Sequence, residues 1–88
     1  MSEGYVLTFR TVTALDVQHL KTDLRKSAVI RPKLNGDFSI STFGIEADVE
    51  FDPSQQSLAV RIFDKPAWLG LDEIRRQIEM ALAKAKGR

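Results

Sequence analysis

The stretch Gly44-Ile45-Glu46-Ala47-Asp48-Val49-Glu50-Phe51, followed after a polar turn by Leu58-Ala59-Val60-Arg61-Ile62-Phe63, decides the fold of this chain. Ile45, Ala47, Val49 and Phe51 fall on one side of an extended backbone, and Glu46, Asp48 and Glu50 on the other. Leu58, Val60 and Ile62 continue the apolar side, with Arg61 opposite. Strict alternation of this kind makes an antiparallel sheet with one dry face and one wet face. The dry face needs a covering layer, which the flanking sequence has to supply.

Upstream, Tyr5 to Arg10 is rich in aromatic and β-branched residues and reads as a first strand. Thr13 caps a helix expected to run to about Ser27, with Asp16 placed against its positive end. Ala14, Val17, Leu20 and Leu24 mark its apolar side; Gln18, Lys21, Thr22, Arg25 and Lys26 mark the polar one. Ala28 to Leu34 is a weaker strand, because Pro32 lacks a backbone donor and confines it to an edge or an extended loop. Asn35-Gly36 has the composition of a tight hairpin turn, and Phe38 and Ile40 then resume the alternation. Apolar parity shifts from even to odd across Phe43-Gly44, which needs either a turn or a bulge at that glycine, and a turn is the favoured reading. Asp52-Pro53-Ser54 makes the next corner.

Downstream, Leu71, Ile74, Ile78, Ala81, Leu82 and Ala85 form one stripe of a final helix that begins either at Pro66 or after Gly70. The expected order is β-α-(β)-β-β-β-α, an α+β two-layer sandwich with both helices on one face of a meander sheet. Val49, Val60 and Ile62 are expected to meet Leu20, Leu24, Ile74 and Ile78. Truncating Ile78 to Ala is then expected to cost ~2–5 kcal/mol.

At 88 residues, 1–88 reads as a single domain with one core. A hydrophobic fraction of 43% and a charged fraction of 28% are globular values, and no apolar run is long enough for a membrane span. The opening Met1-Ser2-Glu3-Gly4 lacks the pattern of a secretory signal, and the absence of cysteine removes disulfide and thiolate chemistry. A cytoplasmic location is the expectation. Net charge +1 argues against a dedicated nucleic-acid binder. Charge is nonetheless uneven, acidic over 46–52 and basic over 75–88, which can orient a partner or a second copy.

Little in the chain points to catalysis. Glu46, Asp48 and Glu50 could bracket a hard cation, but no second acidic cluster converges on them, so a solvated strand face is expected and no metal site. His19 is the lone histidine and lies off the apolar stripe, as an ordinary exposed histidine would. The scattered glycines form no phosphate loop. No enzyme, catalytic residue or cofactor is expected. Trp68, Leu69 and Leu71 are the residues singled out for a partner or ligand contact, against the alternative that Trp68 closes one end of the core.

Phe43-Gly44-Ile45, Val49, Phe51, Val60, Ile62, Trp68-Leu69 and Ile78-Glu79 follow a pattern that resembles the small bacterial polyhydroxyalkanoate-system proteins. The resemblance covers about residues 38–83 and implies a small accessory protein, possible at the surface of a polyester granule, with no catalytic residues to transfer. The function expected is therefore a non-enzymatic interaction module acting through its surface, with a protein partner or by self-association. Two alternatives are kept. One is a carrier with an apolar pocket between the sheet and the last helix. The other is an RNA- or ribosome-binding domain using Lys21, Arg25, Lys26, Arg31, Lys33, Arg75 and Arg76.

Overall fold

The structure, a computed structural model, describes residues 4–87. Strands β1 (Tyr5–Phe9), β2 (Val29–Pro32), β3 (Phe38–Thr42), β4 (Ile45–Asp52) and β5 (Ser57–Asp64) alternate with helices α1 (Ala14–Leu24) and α2 (Leu71–Lys86) in the order β-α-β-β-β-β-α. All strands join one antiparallel sheet with the spatial order β1-β5-β4-β3-β2. The fold is α+β, as the alternation implies. The meander β2–β5 is extended by β1 on the far side of β5, so α1 has to travel from one sheet edge to the other.

Cross-strand pairs explain the dry face. Phe38 lies opposite Val49, Ala47 opposite Ile62, Val49 opposite Val60, and Leu7 opposite Val60 on the other flank. These side chains are buried together with Phe9, Val12, Val17, Leu20, Leu58, Ile74 and Leu82. Leu24 and Ile78 pack against the same cluster while remaining partly exposed. The expected meeting of Val49, Val60 and Ile62 with both helices is thus present. Val12 is wholly buried in the β1–α1 connection, where its N–H donates to the Gln56 carbonyl at 2.8 Å.

Four expectations need correction. Ala14 is exposed, because α1 turns Val17 and Leu20 to the sheet and its first residue lies beyond that contact. α1 ends at Leu24 and the chain turns through Arg25–Ser27. The residues Asn35-Gly36 do not form a two-residue turn: the Lys33 N–H donates to the Asp37 carbonyl at 2.7 Å across a 3-10 turn, Leu34–Gly36. Pairing of Pro32 with Phe38 already fixes the strand ends, leaving a longer loop in which Gly36 takes the left-handed position at φ +81°. Finally, Ile78 is only half-buried, and Ile74, Leu82 and Ala85 are the buried residues of α2.

The tight hairpin lies instead at Phe43-Gly44, with φ +49° and +81° and Thr42 opposite Ile45. Positive φ at both positions matches the right-handed twist of the flanking strands. Ala28–Leu34 does contain a strand, and Pro32 is its last residue on an edge. α2 starts after Gly70, which leaves Lys65–Gly70 as a connecting loop.

Candidate functional site: an apolar cleft

The helices run antiparallel over the dry face and are held together at one end. Thr13 and Asp16 form a reciprocal cap on α1: Asp16 N–H donates to Thr13 Oγ1 at 3.2 Å, and Thr13 N–H to Asp16 Oδ2 at 3.0 Å. The same carboxylate accepts from Lys86 Nζ at 2.7 Å, and Lys86 also donates to the Thr11 carbonyl. Asp16 is buried, and the Lys86 hydrogen bond, followed by the Thr13 amide, holds its carboxyl below the ordinary range. His19 is half-buried, with Nδ1 3.1 Å from the Ala85 carbonyl. The histidine expected to be exposed therefore ties α1 to the last turn of α2.

At the opposite end the layers part. A cleft of about 320 Å³ lies between the sheet and the two helices. Its floor is Ile40, Ile45, Ala47, Val49, Val60 and Ile62; Leu20 and Leu24 form one wall, and Leu69, Ile74, Ile78 and Ala81 the other. Among the described residues, polar groups appear in the lining only as Ser27, Thr42, Glu73 and Gln77. The volume is about twice that of an engineered apolar cavity that binds benzene. It reaches the lower end of the range of small-molecule pockets, ~300–1,000 Å³. Two other recesses are similar in size, about 330 and 380 Å³, but their walls carry charged residues such as Arg10, Arg75 and Lys86 or Asp64 and Lys65.

Two aromatic side chains stand at this end of the molecule. Phe43 lines the cleft and is nevertheless 84% exposed. Trp68 is 83% exposed, next to the lining residue Leu69, so it does not close the core. Its loop is fastened by Lys65 Nζ, which donates to the Leu69 carbonyl at 2.7 Å. The Phe43-Gly44 turn abuts the same loop, since a Cβ on Gly44 would lie 3.3 Å from Pro66 Cγ. Of the residues singled out in the sequence, Leu69 lines the cleft, Leu71 packs at the edge of the core, and Trp68 faces solvent beside them. Phe43, Ile40 and Leu24 were not singled out. The parity break at Phe43-Gly44 was the available signal for the first of them.

The other candidates lie elsewhere. Glu46, Asp48 and Glu50 point away from the helices; Asp48 pairs with Lys33 Nζ at 2.7 Å and Glu46 accepts from Ser41 Oγ. Among the described residues no three acidic or histidine side chains gather in a way that could hold a metal ion. The basic residues considered for RNA are spread over α1 and the turn after it, β2 and its end, and α2. Arg31 lies on β2 at the sheet edge and Lys33 just beyond it, Lys21 sits 5.4 Å from the Phe38 ring, Arg75 sits 5.3 Å from the Phe9 ring, and Arg76 pairs with Glu73. Arg88 of the basic segment lies outside the described residues. Among the described residues, no helix is long and apolar enough to cross a membrane. No family model, no curated protein and no solved structure matches the chain.

Proposed function

We propose that this domain is a non-enzymatic binding module that takes an apolar chain into the cleft between its sheet and helices. The cleft itself carries the reading. A small domain gains stability by closing its core, yet here apolar side chains from both layers line an open space, with Phe43 and Trp68 left in solvent beside it. His19 is at the closed end of the helix pair and the strand carboxylates are on the opposite sheet face, so Glu73 stands in the cleft without a histidine or second carboxylate among the lining residues. The resemblance to polyhydroxyalkanoate-system proteins, with its implied place at an aliphatic polyester surface, is in keeping with a site of this chemistry.

The test is titration with 1-decanol while following the emission of Trp68, the single tryptophan. A saturable change is expected, weakened at least about tenfold by Ala81→Phe, which fills the cleft from the helix side. Absence of any saturable change in a folded sample would remove the proposal.

Self-association is a second mode, favoured by one observation. β1 is an edge strand with no proline and no charged residue, and Tyr5 and Val6 are about half exposed on it. Sedimentation velocity at micromolar concentration should show a dimer that Val6→Lys dissociates; a parent that is strictly monomeric would dismiss this mode alone.

A further inference from the structure

The cleft has an electrostatic character that its size does not reveal. Among its lining residues the one ionisable group is Glu73. Among the described residues, no lysine, arginine or histidine lines it. Both oxygens of Glu73 are engaged, Oε1 by Arg76 Nη2 and Oε2 by Gln77 Nε2 at 2.9 Å. Arg76 is mostly in solvent and lies outside the lining, and its ion pair with Glu73 offsets part of the carboxylate's charge. The hydrogen bonds from Gln77 and then Arg76 lower the pKa of Glu73, which therefore stays anionic throughout the neutral range. The remaining polar lining residues are neutral: Gln77, Ser27 and Thr42, the last donating its hydroxyl to the Ser27 carbonyl at 2.9 Å.

We infer that the cleft selects an uncharged aliphatic chain, ending in an alcohol or ester, and discriminates against the corresponding carboxylate. This rests on the reading of the cleft as a chain-binding site. A carboxylate entering by its tail would bring its head to Glu73 and Gln77, where it meets a like charge already paired with Arg76 and no cation among the lining residues. A partly desolvated anion without a partner is costly, and a like charge beside it adds to the cost. A hydroxyl or ester oxygen at the same place accepts a hydrogen bond from the Gln77 amide and carries no net charge. The volume of about 320 Å³ accommodates about ten heavy atoms at the roughly 30 Å³ that a water-sized atom occupies.

The experiment compares 1-decanol, methyl decanoate and decanoate, each below its micellar or solubility limit, by Trp68 emission and by titration calorimetry at pH 7.5. The alcohol and ester should bind alike and decanoate at least about tenfold more weakly. Glu73→Lys should raise decanoate affinity to that of the ester. Glu73→Gln, nearly equal in volume, should narrow the gap without reversing it. Circular dichroism melts of both variants establish that they are folded. Equal binding of decanoate and decanol to the parent, or a gap unchanged in both Glu73 variants, would overturn the selectivity and leave the chain-binding reading intact. If none of the three ligands binds, it is that reading which fails.

Discussion

Phe43 carries two liabilities at once: a bulky residue in the left-handed region and an aromatic ring left in water. Asparagine suits the first position of such a turn far better. Phe43→Asn is therefore expected to raise stability by roughly 0.5–2 kcal/mol, as turn optimisation commonly does. The same change should weaken chain binding, because the ring lines the cleft. Thermal melts and ligand titration on one sample would check both signs; a loss of stability would mean that the ring supports the fold. Gly44→Ala should act in the opposite direction. Its φ of +81° and the contact at 3.3 Å with Pro66 leave no relaxed place for a methyl group, and the cost should be about 1 kcal/mol or more. At this scale the sequence was only half legible. The change of apolar parity marked the turn, but exposure of Trp68 depends on α2 beginning after Gly70, and both starts fitted the same residues.

Within the second helix, the half-burial of Ile78 changes which truncation matters most. Ile74→Ala and Leu82→Ala are expected to cost ~2–5 kcal/mol, Ile78→Ala less than either, and Glu79→Ala within ~0.5 kcal/mol of the parent. Chemical denaturation ranks them, and an Ile78 variant as damaged as the Leu82 variant would mean that the cleft is closed in solution. The first helix depends on its cap. Thr13→Ala removes the acceptor for the Asp16 amide and should cost about 1 kcal/mol, or about 4–8 °C in melting temperature for a domain of this size.

Asp16 also links stability to pH. Its folded pKa lies below the ordinary value of 3.8, so the unfolded chain takes up the proton first as pH falls. The stabilisation is complete above the unfolded pKa and is lost as pH drops through it toward the folded one. Melting temperatures should therefore be flat from pH 7 to about 5 and fall below that, with a shallower fall in Asp16→Asn. An equal slope in the variant would assign the acid sensitivity to other carboxylates. Periodicity disclosed both helices and their apolar stripes, since these follow from residue spacing alone. It did not disclose the connection of Asp16 with Lys86, because residues 70 positions apart meet only once both helices lie on the sheet.

For the whole molecule, the sheet and its covering layer were legible because alternation and helical spacing each demand burial of one face. The cleft was not. It depends on how the two helices settle over the sheet, and they are tied to each other by residues far apart in the chain: Lys86 on Asp16 and His19 on the Ala85 carbonyl. A helix pair fastened at one end and parted at the other should open unevenly. Amide hydrogen exchange ought to show this as a gradient along a single helix, faster at residues 75–78 beside the cleft and slower at 82–85 beside the fastening. A bound chain would slow the fast end and leave the slow end unchanged, so the helix would report occupancy through its own breathing.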